Sequence, residues 1–337
     1  MTRLAKVIFG IGFIGLIVLF IISGCGKKPA AGNRKIILQL NWIPDPTFTG
    51  EYIALKNMYW SKDCGLDVTI KPGGIGIDPI ALVVSKQAQF AIVGADKAII
   101  ARANGQKIKV IAVDFQRNPV GWIARKSLGI KTFKDIPSNT NVLLGDKVGT
   151  ETTSILNLCL KRLNLDKQVS PKGVGFDFSY FVQNKDVIYP VYLNEEPVRA
   201  KINNIEITEI DPSDPENGGV RLYGNVIIVN EEFLDENPKA VSCFVKGLRK
   251  GWEFAKKDPI EAQKIISNSF TYDKAALQDV IERSIDFATN MYGQHVPPCH
   301  MELREWENTI NTLRESGILT KTITVTDLVE LDIGSNI

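Results

Sequence analysis

The sequence predicts an α/β protein built as two doubly wound lobes. Short apolar strands alternate with helices along the first third of the chain, which is typical of a parallel sheet buried on both faces. The chain is also long, because removal of 24 N-terminal residues from 337 leaves 313, more than one hydrophobic core usually holds. A second, smaller series of strands and helices follows the first. We therefore expect two lobes joined by a hinge, with a cleft between them.

The N-terminus has the pattern of an export signal. Arg3 and Lys6 precede the uncharged run Val7–Ile22, and small residues follow. The sequence Ile-Ser-Gly-Cys at Ile22–Cys25 resembles the bacterial lipobox, in which the cysteine is lipidated and becomes the first residue of the mature chain. An uncleaved membrane anchor is the alternative, because the uncharged run is near the lower length limit for a spanning helix.

We accordingly predict a lipoprotein signal peptide over residues 1–24, a lipid anchor on Cys25 and a flexible tether over residues 25–34. This anchor would hold the protein on the cell membrane with its remaining residues outside the cytoplasm, in the periplasm or on the cell surface. In this case the protein contacts the membrane only through the lipid chains on Cys25.

The charge of the chain excludes one large class of partner. The full sequence has 40 basic and 38 acidic residues, and loss of Arg3 and Lys6 leaves 38 of each. A neutral protein has no overall field that attracts nucleic acid, so we expect no nucleic-acid partner.

Four cysteines remain besides Cys25, and their spacings show no paired motif. One or two disulfides are compatible with an oxidising compartment. Cys159 and Cys243 fall on apolar faces of predicted helices, which favours buried free thiols at these two positions.

The elements of the first lobe follow from local patterns. Thr49 and the Asp78-Pro79 pair are typical helix starts, and Gly105 is a typical helix end. Apolar or alternating runs predict strands at 35–40, 66–70, 90–93, 108–115 and 120–125. The segments between them predict helices at 50–60, 78–87 and 94–105.

The second series begins near residue 141. Strands are predicted at 141–145 and 187–192, helices at 150–164 and 177–185, and a Pro-, Gly- and Asp-rich loop at 209–224. From residue 225 onward the pattern predicts helices, notably at 238–257, 259–270, 273–292 and 301–316.

Several of these segments, in this order, resemble the periplasmic solute-binding components of ABC importers. The resembling segments are 40–55, 88–136, 191–200, 233–266 and 302–319. They are similar to the branch that binds thiamine pyrimidine precursors, whose relatives bind taurine, alkanesulfonates, nitrate or riboflavin. The similarity covers nearly all of the chain after the tether.

This resemblance implies a periplasmic binding protein type II fold that closes on a small-molecule ligand and delivers it to an ABC permease and its ATPase. The first lobe would comprise residues 35–126 and 226–337, and the second lobe residues 127–225.

The cleft candidates of the first lobe lie where predicted strands end, because ligands of doubly wound sheets bind there. Aromatic side chains grip flat rings over a large area, and a carboxylate accepts hydrogen bonds from an amine. The alternative is that these rings pack a core. The candidates after the first strand are Trp42, Phe48, Gly50, Glu51 and Tyr52.

The ends of two further predicted strands, at 90–93 and 108–115, supply polar candidates for ligand binding. Gly94 and Ala95 begin a helix whose free amides suit an acceptor atom, and Asp96 either joins them or only caps the helix. Gln116 and Asn118 precede a rigid proline and carry both donors and acceptors, with a solvated loop as the alternative.

In the second lobe the candidates follow the strands at 141–145 and 187–192. Pro197 marks a helix start, which favours Glu195 over Glu196 as the freer carboxylate. The resemblance supports the first of the two groups by position, although family members usually carry a more glycine-rich turn there. The candidates are Gly149, Thr150, Glu151 and Thr152, and then Tyr192, Asn194 and Glu195.

Carboxylates beside aromatic rings, Glu51 and Glu195 above all, suit a planar amino-substituted nitrogen heterocycle such as a thiamine pyrimidine precursor. A sulfonate site would favour Arg, Lys or bare helix amides. A taurine, alkanesulfonate or riboflavin binder is the alternative, as is a binder that signals to a membrane receptor.

A pyrimidine synthase is a further alternative, because such enzymes resemble these binders. The synthases carry a cysteine-rich iron motif and a histidine near the cleft, and this sequence has neither. His295, Cys299 and His300 lie in a proline-stiffened loop with no fourth ligand nearby, so we expect no metal site there. The expectation is a binding protein with no enzymatic activity and no cofactor.

Overall fold

The structure is a computed structural model, and it describes residues 33–137, 143–147, 151–331 and 333. The predicted signal peptide, Cys25 and nearly all of the tether lie outside these residues.

The described strands and helices alternate in the first half of the chain, and helices dominate the last third. The strands are β1 Arg34–Gln39, β2 Leu66–Lys71, β3 Phe90–Gly94, β4 Ile108–Val113, β5 Val120–Arg125, β6 Leu143–Asp146, β7 Lys172–Gly173, β8 Val187–Tyr192, β9 Ile207–Ile210, β10 Asn225–Asn230, β11 Asn290–Met291 and β12 Gln294–His295. The helices are α1 Thr49–Lys56, α2 Tyr59–Cys64, α3 Pro79–Val84, α4 Ala95–Ala103, α5 Glu151–Arg162, α6 Ser179–Gln183, α7 Glu196–Ile202, α8 Glu231–Glu236, α9 Pro238–Lys257, α10 Pro259–Ile266, α11 Lys274–Thr289, α12 Leu303–Glu315 and α13 Val325–Leu328.

The first sheet has the strand order β2-β1-β3-β10-β4. Strand β1 runs parallel to β2 and β3, whereas β10 runs antiparallel to β3 and β4. The sheet is therefore mixed rather than wholly parallel. Every residue of β10 is buried, as expected for a central strand rich in valine and isoleucine.

Strand β10 corrects one sequence prediction. The run of residues 225–234 was predicted to begin the helical part of the chain, but Asn225–Asn230 is a strand and only Glu231–Glu236 is a helix. Asn230 marks the change, because its side chain accepts hydrogen bonds from the backbone N–H groups of Glu232 and Phe233 and so caps α8.

The second sheet has the order β7-β6-β8-β5-β9. Strand β6 runs parallel to β7 and β8, and β5 runs antiparallel to β8 and β9. The two five-stranded sheets confirm the predicted α/β fold class with two lobes.

The pairing of β5 bears on the division between the lobes. The expected boundary after residue 126 leaves Val120–Arg125 in the first lobe, yet these residues pair with β8 and β9 of the second sheet. We therefore propose that the chain crosses between the lobes at 114–119, and returns at 221–224 just before β10. The first lobe is defined below by the first sheet with α1–α4 and α8–α13, and the second lobe by the second sheet with α5–α7.

A disulfide ties two helices of the first lobe together. Cys64 at the end of α2 is bonded to Cys243 in α9, 179 positions later. The prediction of a free thiol at Cys243 is thus wrong, because the apolar face of α9 packs directly against α2. Cys159 is buried and free as predicted, and Cys299 is buried and free as well.

Candidate functional site

A cavity of about 360 Å³ lies between the two sheets, at the ends of strands from both lobes. Its size is at the lower end of the range for small-molecule sites, which begins at roughly 300 Å³. The lining residues are Asn41, Trp42, Ile43, Asp45, Thr47, Phe48, Lys147, Glu151, Thr152, Phe176, Val191, Tyr192, Glu195, Glu196, Arg199 and Asn225.

Two aromatic rings from different lobes face each other at this cavity. Trp42 follows β1 in the first lobe, and Phe176 belongs to the loop between β7 and α6 in the second. Their ring centroids are 6.0 Å apart and their planes are inclined by 34°. Phe176 is 49% exposed and Trp42 is half-buried, so both rings present surface that a flat ligand could cover.

Asp45 lies on the first-lobe side of the cavity. It caps the short 3₁₀ helix Pro46–Phe48, where its Oδ1 accepts a hydrogen bond of 2.8 Å from the backbone N–H of Thr47. The residue is only 5% exposed, and this burial raises the pKa of the carboxyl from 3.8 to about 6. Phe48, one helix turn further on, contributes a buried ring to the same wall.

Glu195 and Glu196 lie opposite, at the start of α7. Burial raises the pKa of Glu195 to about 8, and the nearby charge of Asp45 adds to this shift. An oxygen of Glu195 accepts a hydrogen bond of 2.5 Å from Arg199, one turn along the helix. The carboxylate of Glu196 accepts a hydrogen bond of 2.7 Å from the backbone N–H of Tyr192.

Glu151, the first residue of α5, connects the second lobe to the crossover segment. The hydroxyl of Tyr192 donates to its Oε1 at 2.6 Å, and the amide of Asn118 donates to its Oε2 at 3.4 Å. Burial, followed by the charge of Asp96, raises the pKa of Glu151 to about 7. A Cβ atom on Gly94 would come within 3.2 Å of Glu151, so the predicted junction at β3 does face this carboxylate.

The residues predicted from the sequence do not all lie at the cavity. Six of them line it, namely Trp42, Phe48, Glu151, Thr152, Tyr192 and Glu195. Gly94 and Asn118 lie beside Glu151, and Asp96 lies close to Gly94. Neither these three residues nor Ala95 lines the cavity. Gly149 and Thr150 lie outside the described residues.

The predicted cluster on α1 is corrected by the structure. A Cβ on Gly50 would come within 2.3 Å of Trp252, so this glycine serves the contact between α1 and α9. Glu51 is fully buried against Asp114, and Tyr52 packs edge-on against Phe270. These three residues face the interior of the first lobe, because α1 packs there against α9 and its neighbours.

Gln116 and Asn194 also make structural contacts rather than lining the cavity. The amide of Gln116 donates to the carbonyl oxygens of Val113 and His300. The amide of Asn194 donates to Thr47 Oγ1 at 3.1 Å and to Ser284 Oγ at 3.2 Å, both in the first lobe. Asn194 therefore links the two lobes next to the cavity.

Sequence reasoning missed most of the charged lining, including Asp45, Lys147, Glu196 and Arg199. Asp45 had a usable signal, since Asp-Pro is a typical helix start, but the helix that it caps has only three residues. Phe176 had none, because it lies in a loop that reaches the cavity only through tertiary packing.

No group of three or more histidine, cysteine, aspartate or glutamate side chains in the described parts of the chain could hold a metal ion. No helix among the described residues is both long and apolar enough to cross a bilayer.

Comparisons with known proteins agree on a family. A sequence model of the family described as "NMT1/THI5 like" matches residues 45–262, which is more than half of the chain.

The curated proteins with sequence similarity to the chain include two binding proteins and a synthase. The formylaminopyrimidine-binding protein of Halalkalibacterium halodurans is 24% identical over 313 residues, covering 88% of this chain and 91% of that protein. The riboflavin-binding protein RibY of Chloroflexus aurantiacus is 21% identical over 335 residues, covering 93% and 94%. A 4-amino-5-hydroxymethyl-2-methylpyrimidine phosphate synthase of Legionella pneumophila is 20% identical over 270 residues, covering 76% and 80%.

Among solved structures, the periplasmic aliphatic sulphonate binding protein SsuA of Escherichia coli superposes with a TM-score of 0.67. It covers 89% of this chain and 92% of its own length at 10% identity. This likeness shows the periplasmic binding protein fold and nothing about the ligand.

Proposed function

Because the chain belongs to the NMT1/THI5-like family and has the periplasmic binding protein fold, we propose that it is the extracytoplasmic solute-binding component of an ABC importer. In this proposal it captures a planar nitrogen heterocycle, similar to a thiamine pyrimidine precursor, in the cavity between its lobes. It then delivers this ligand to a membrane permease that an ATPase drives, and it carries out no chemistry itself.

The observation that carries the proposal is the pair of rings at the cavity. Trp42 and Phe176 come from different lobes, so a flat ligand that contacts both would be held by both. Aromatic contacts of this kind stabilise a bound ring strongly because the area is large and the side chains lose little rotamer entropy. A ligand that bridges the lobes favours the closed arrangement, which is how hinged binders respond to their solutes.

The charge of the lining supports an amino-substituted ring over a sulfonate. Four carboxyl groups and two cationic side chains line the cavity. An anionic sulfonate would meet these carboxylates without enough cations to balance them, whereas amine N–H groups would donate to them. The fold shared with SsuA therefore does not extend to its ligand in this proposal.

Riboflavin is the second candidate ligand. Its tricyclic ring is also planar and would use the same two aromatic faces, and the relative RibY, at 21% identity, is named for binding it. A synthase activity is less well supported, because the five cysteines are widely spaced in the sequence and two of them, Cys64 and Cys243, are joined in a disulfide.

The proposal includes the lipid anchor on Cys25. The disulfide between Cys64 and Cys243 supports an oxidising location outside the cytoplasm, since structural disulfides are rare in reducing compartments. A Cys25→Ser variant should be released from the membrane fraction, whereas unaltered fractionation of this variant would remove the anchor from the proposal.

The test of the ligand class is a melting experiment on the purified protein with a fixed panel. The panel contains 4-amino-5-hydroxymethyl-2-methylpyrimidine, its formylamino analogue, thiamine, riboflavin and taurine. Binding to the folded state alone raises the melting temperature, so a shift with a heterocycle and none with taurine is the expected result. A shift with taurine alone, or with none of the five, would overturn the proposed function.

A further inference from the structure

The charges that line the cavity are not balanced. Asp45, Glu151, Glu195 and Glu196 face two cations, Lys147 and Arg199. Each cation contacts a carboxylate at the start of α7: Lys147 Nζ lies 3.7 Å from Glu196, and Arg199 lies 2.5 Å from Glu195. Among the described residues, the two lining acids that form no ion pair with either cation are therefore Asp45 and Glu151.

Of these two, Glu151 is supplied with hydrogen-bond donors by the protein itself. The Tyr192 hydroxyl and the Asn118 amide both donate to it. Asp45 differs, because both of its described donors, a backbone N–H and a hydroxyl, belong to Thr47. Within residues 33–137, 143–147, 151–331 and 333 no cation forms an ion pair with it, and the charge of Arg199 acts on it from beyond that distance. Asp45 therefore lines the cavity as a nearly buried carboxyl group that forms no ion pair with a cation of the described residues.

The aromatic faces at the cavity have the same preference for positive charge. The face of an aromatic ring carries negative electrostatic potential and attracts a cation within about 6 Å of its centroid. Phe176 already shows this, since the ammonium group of Lys147 lies 5.6 Å from its ring centroid. Trp42, which faces Phe176, belongs to the residue type that binds cations best in this way.

From these observations we propose that the cavity selects a positively charged heterocycle, with Asp45 as its counter-ion and the rings of Trp42 and Phe176 as its walls. Asp45 is then the residue that determines specificity for charge, and the rings determine specificity for shape. The inference rests on the proposed function, since it names the charge state of the ligand in the same cavity.

The proposal also gives a reason for closure around a ligand. Asp45 belongs to the first lobe, and Glu195 and Glu196 belong to the second. Closure brings these like charges together, which costs free energy while the cavity is empty. A cation between them removes this repulsion and replaces it with attraction, so a charged ligand favours the closed arrangement more than a neutral one does.

The test uses probes of fixed charge and similar shape on the full mature protein. The two cations are the N1-methyl derivative of 4-amino-5-hydroxymethyl-2-methylpyrimidine and thiamine, whose thiazolium ring is permanently charged. The neutral probe is the 4-oxo analogue of the same pyrimidine. Affinities are measured by calorimetry at pH 7.5 for the unaltered protein, for Asp45→Asn and for the control Asp67→Asn, an exposed acid on β2.

We expect at least one of the two cations to bind about 10-fold or more tightly than the oxo analogue. Asp45→Asn should weaken binding of that cation about 30-fold or more, because a buried charge loses its partner, and should change the affinity for the neutral probe less than about 3-fold. Asparagine still accepts the hydrogen bond from Thr47, so the fold is kept, and Asp67→Asn should leave both affinities unchanged.

The other outcomes overturn either the charge inference alone or both proposals together. If neither cation binds more tightly than the oxo analogue, or if Asp45→Asn weakens the charged and neutral probes equally, the charge inference is overturned and the heterocycle proposal stands. If none of the three probes binds and riboflavin also fails to bind, the proposed function is overturned, and the charge inference with it.

Discussion

The carboxyl groups of Glu51 and Asp114 lie against each other in the interior of the first lobe, and neither side chain is exposed to solvent. The indole N–H of Trp252 donates to Asp114 Oδ1 at 2.8 Å. Burial raises the pKa of Asp114 from 3.8 to about 7 and raises that of Glu51 well above its ordinary range. Two carboxyl groups in such a site share a proton rather than both ionising.

This pair predicts that stability falls as the pH rises. Both pKa values are raised in the folded protein, so between about pH 4 and pH 7 the folded state holds more protons than the unfolded state. The free energy of unfolding then falls by about 1.4 kcal/mol per pH unit for each such proton. Glu51→Gln removes one titrating group and should make this fall less steep.

Urea denaturation at pH 5, 6, 7 and 8 measures the slope for the unaltered protein and for Glu51→Gln. Glu236→Gln, which changes an exposed acid at the end of α8, is the matched control and should keep the original slope. Equal slopes for Glu51→Gln and the unaltered protein would show that the pair does not share a proton.

The disulfide between Cys64 and Cys243 should contribute substantially to stability, because it closes a long loop in the unfolded chain. Replacing both cysteines by serine should lower the free energy of unfolding by about 2 to 5 kcal/mol. Thermal melting with and without reductant checks this. The unaltered protein should melt at a lower temperature in reductant and the double variant should not respond, whereas a reductant-insensitive unaltered protein would contradict the bond.

Gly251 in α9 should not tolerate a side chain. A Cβ at this position would lie 2.1 Å from the backbone oxygen of Gly50, so Gly251→Ala forces α9 away from α1. We expect a loss of about 1 to 3 kcal/mol, measured by urea denaturation. Gly175→Ala is the control, because the nearest atom to its Cβ would be 3.9 Å away, and a comparable loss there would refute the packing argument.

Phe176 should affect ligand affinity far more than stability, since its ring is 49% exposed. Phe176→Ala removes one aromatic wall, and we expect affinity for the aminopyrimidine to fall on the order of 10-fold with little change in melting temperature. Ile260→Ala, at a residue 60% exposed on α10, should change neither quantity. Unchanged affinity in Phe176→Ala would remove this ring from the site.

The sequence predicted the fold class well because its strands carry strong local signals. Strands β1, β3 and β5 fall where apolar runs end in polar or small residues, and the two-lobed division followed from chain length and resemblance. Strand β10 was wrongly predicted as helical because its apolar run continues directly into the cap of α8. Its role as a central antiparallel strand depends on a partner more than 100 positions earlier in the chain, which no local pattern contains.

The candidate site was predicted less completely than the fold. Strand-end reasoning predicted Trp42 and Tyr192, which both line the cavity, because that rule depends on topology alone. It misplaced Glu51, since the direction of a helical side chain depends on which neighbour the helix packs against, here α9. It missed Phe176 and Asp45, because a loop and a single-turn helix reach the cavity only through contacts between the lobes.

The central claim, that a flat ligand covers Trp42, can be tested by intrinsic fluorescence. The protein has five tryptophans, and four of them, Trp60, Trp122, Trp252 and Trp306, are at most 1% exposed, so Trp42 alone can meet a ligand at the cavity.

Titration of each heterocycle into the unaltered protein and into Trp42→Phe, with calorimetry alongside, is the most direct measurement. We expect saturable quenching of the unaltered protein by the heterocycle that raises its melting temperature, and no quenching of Trp42→Phe at ligand concentrations where calorimetry still shows binding. Equal quenching of both proteins, or binding without any quenching of the unaltered protein, would contradict the account.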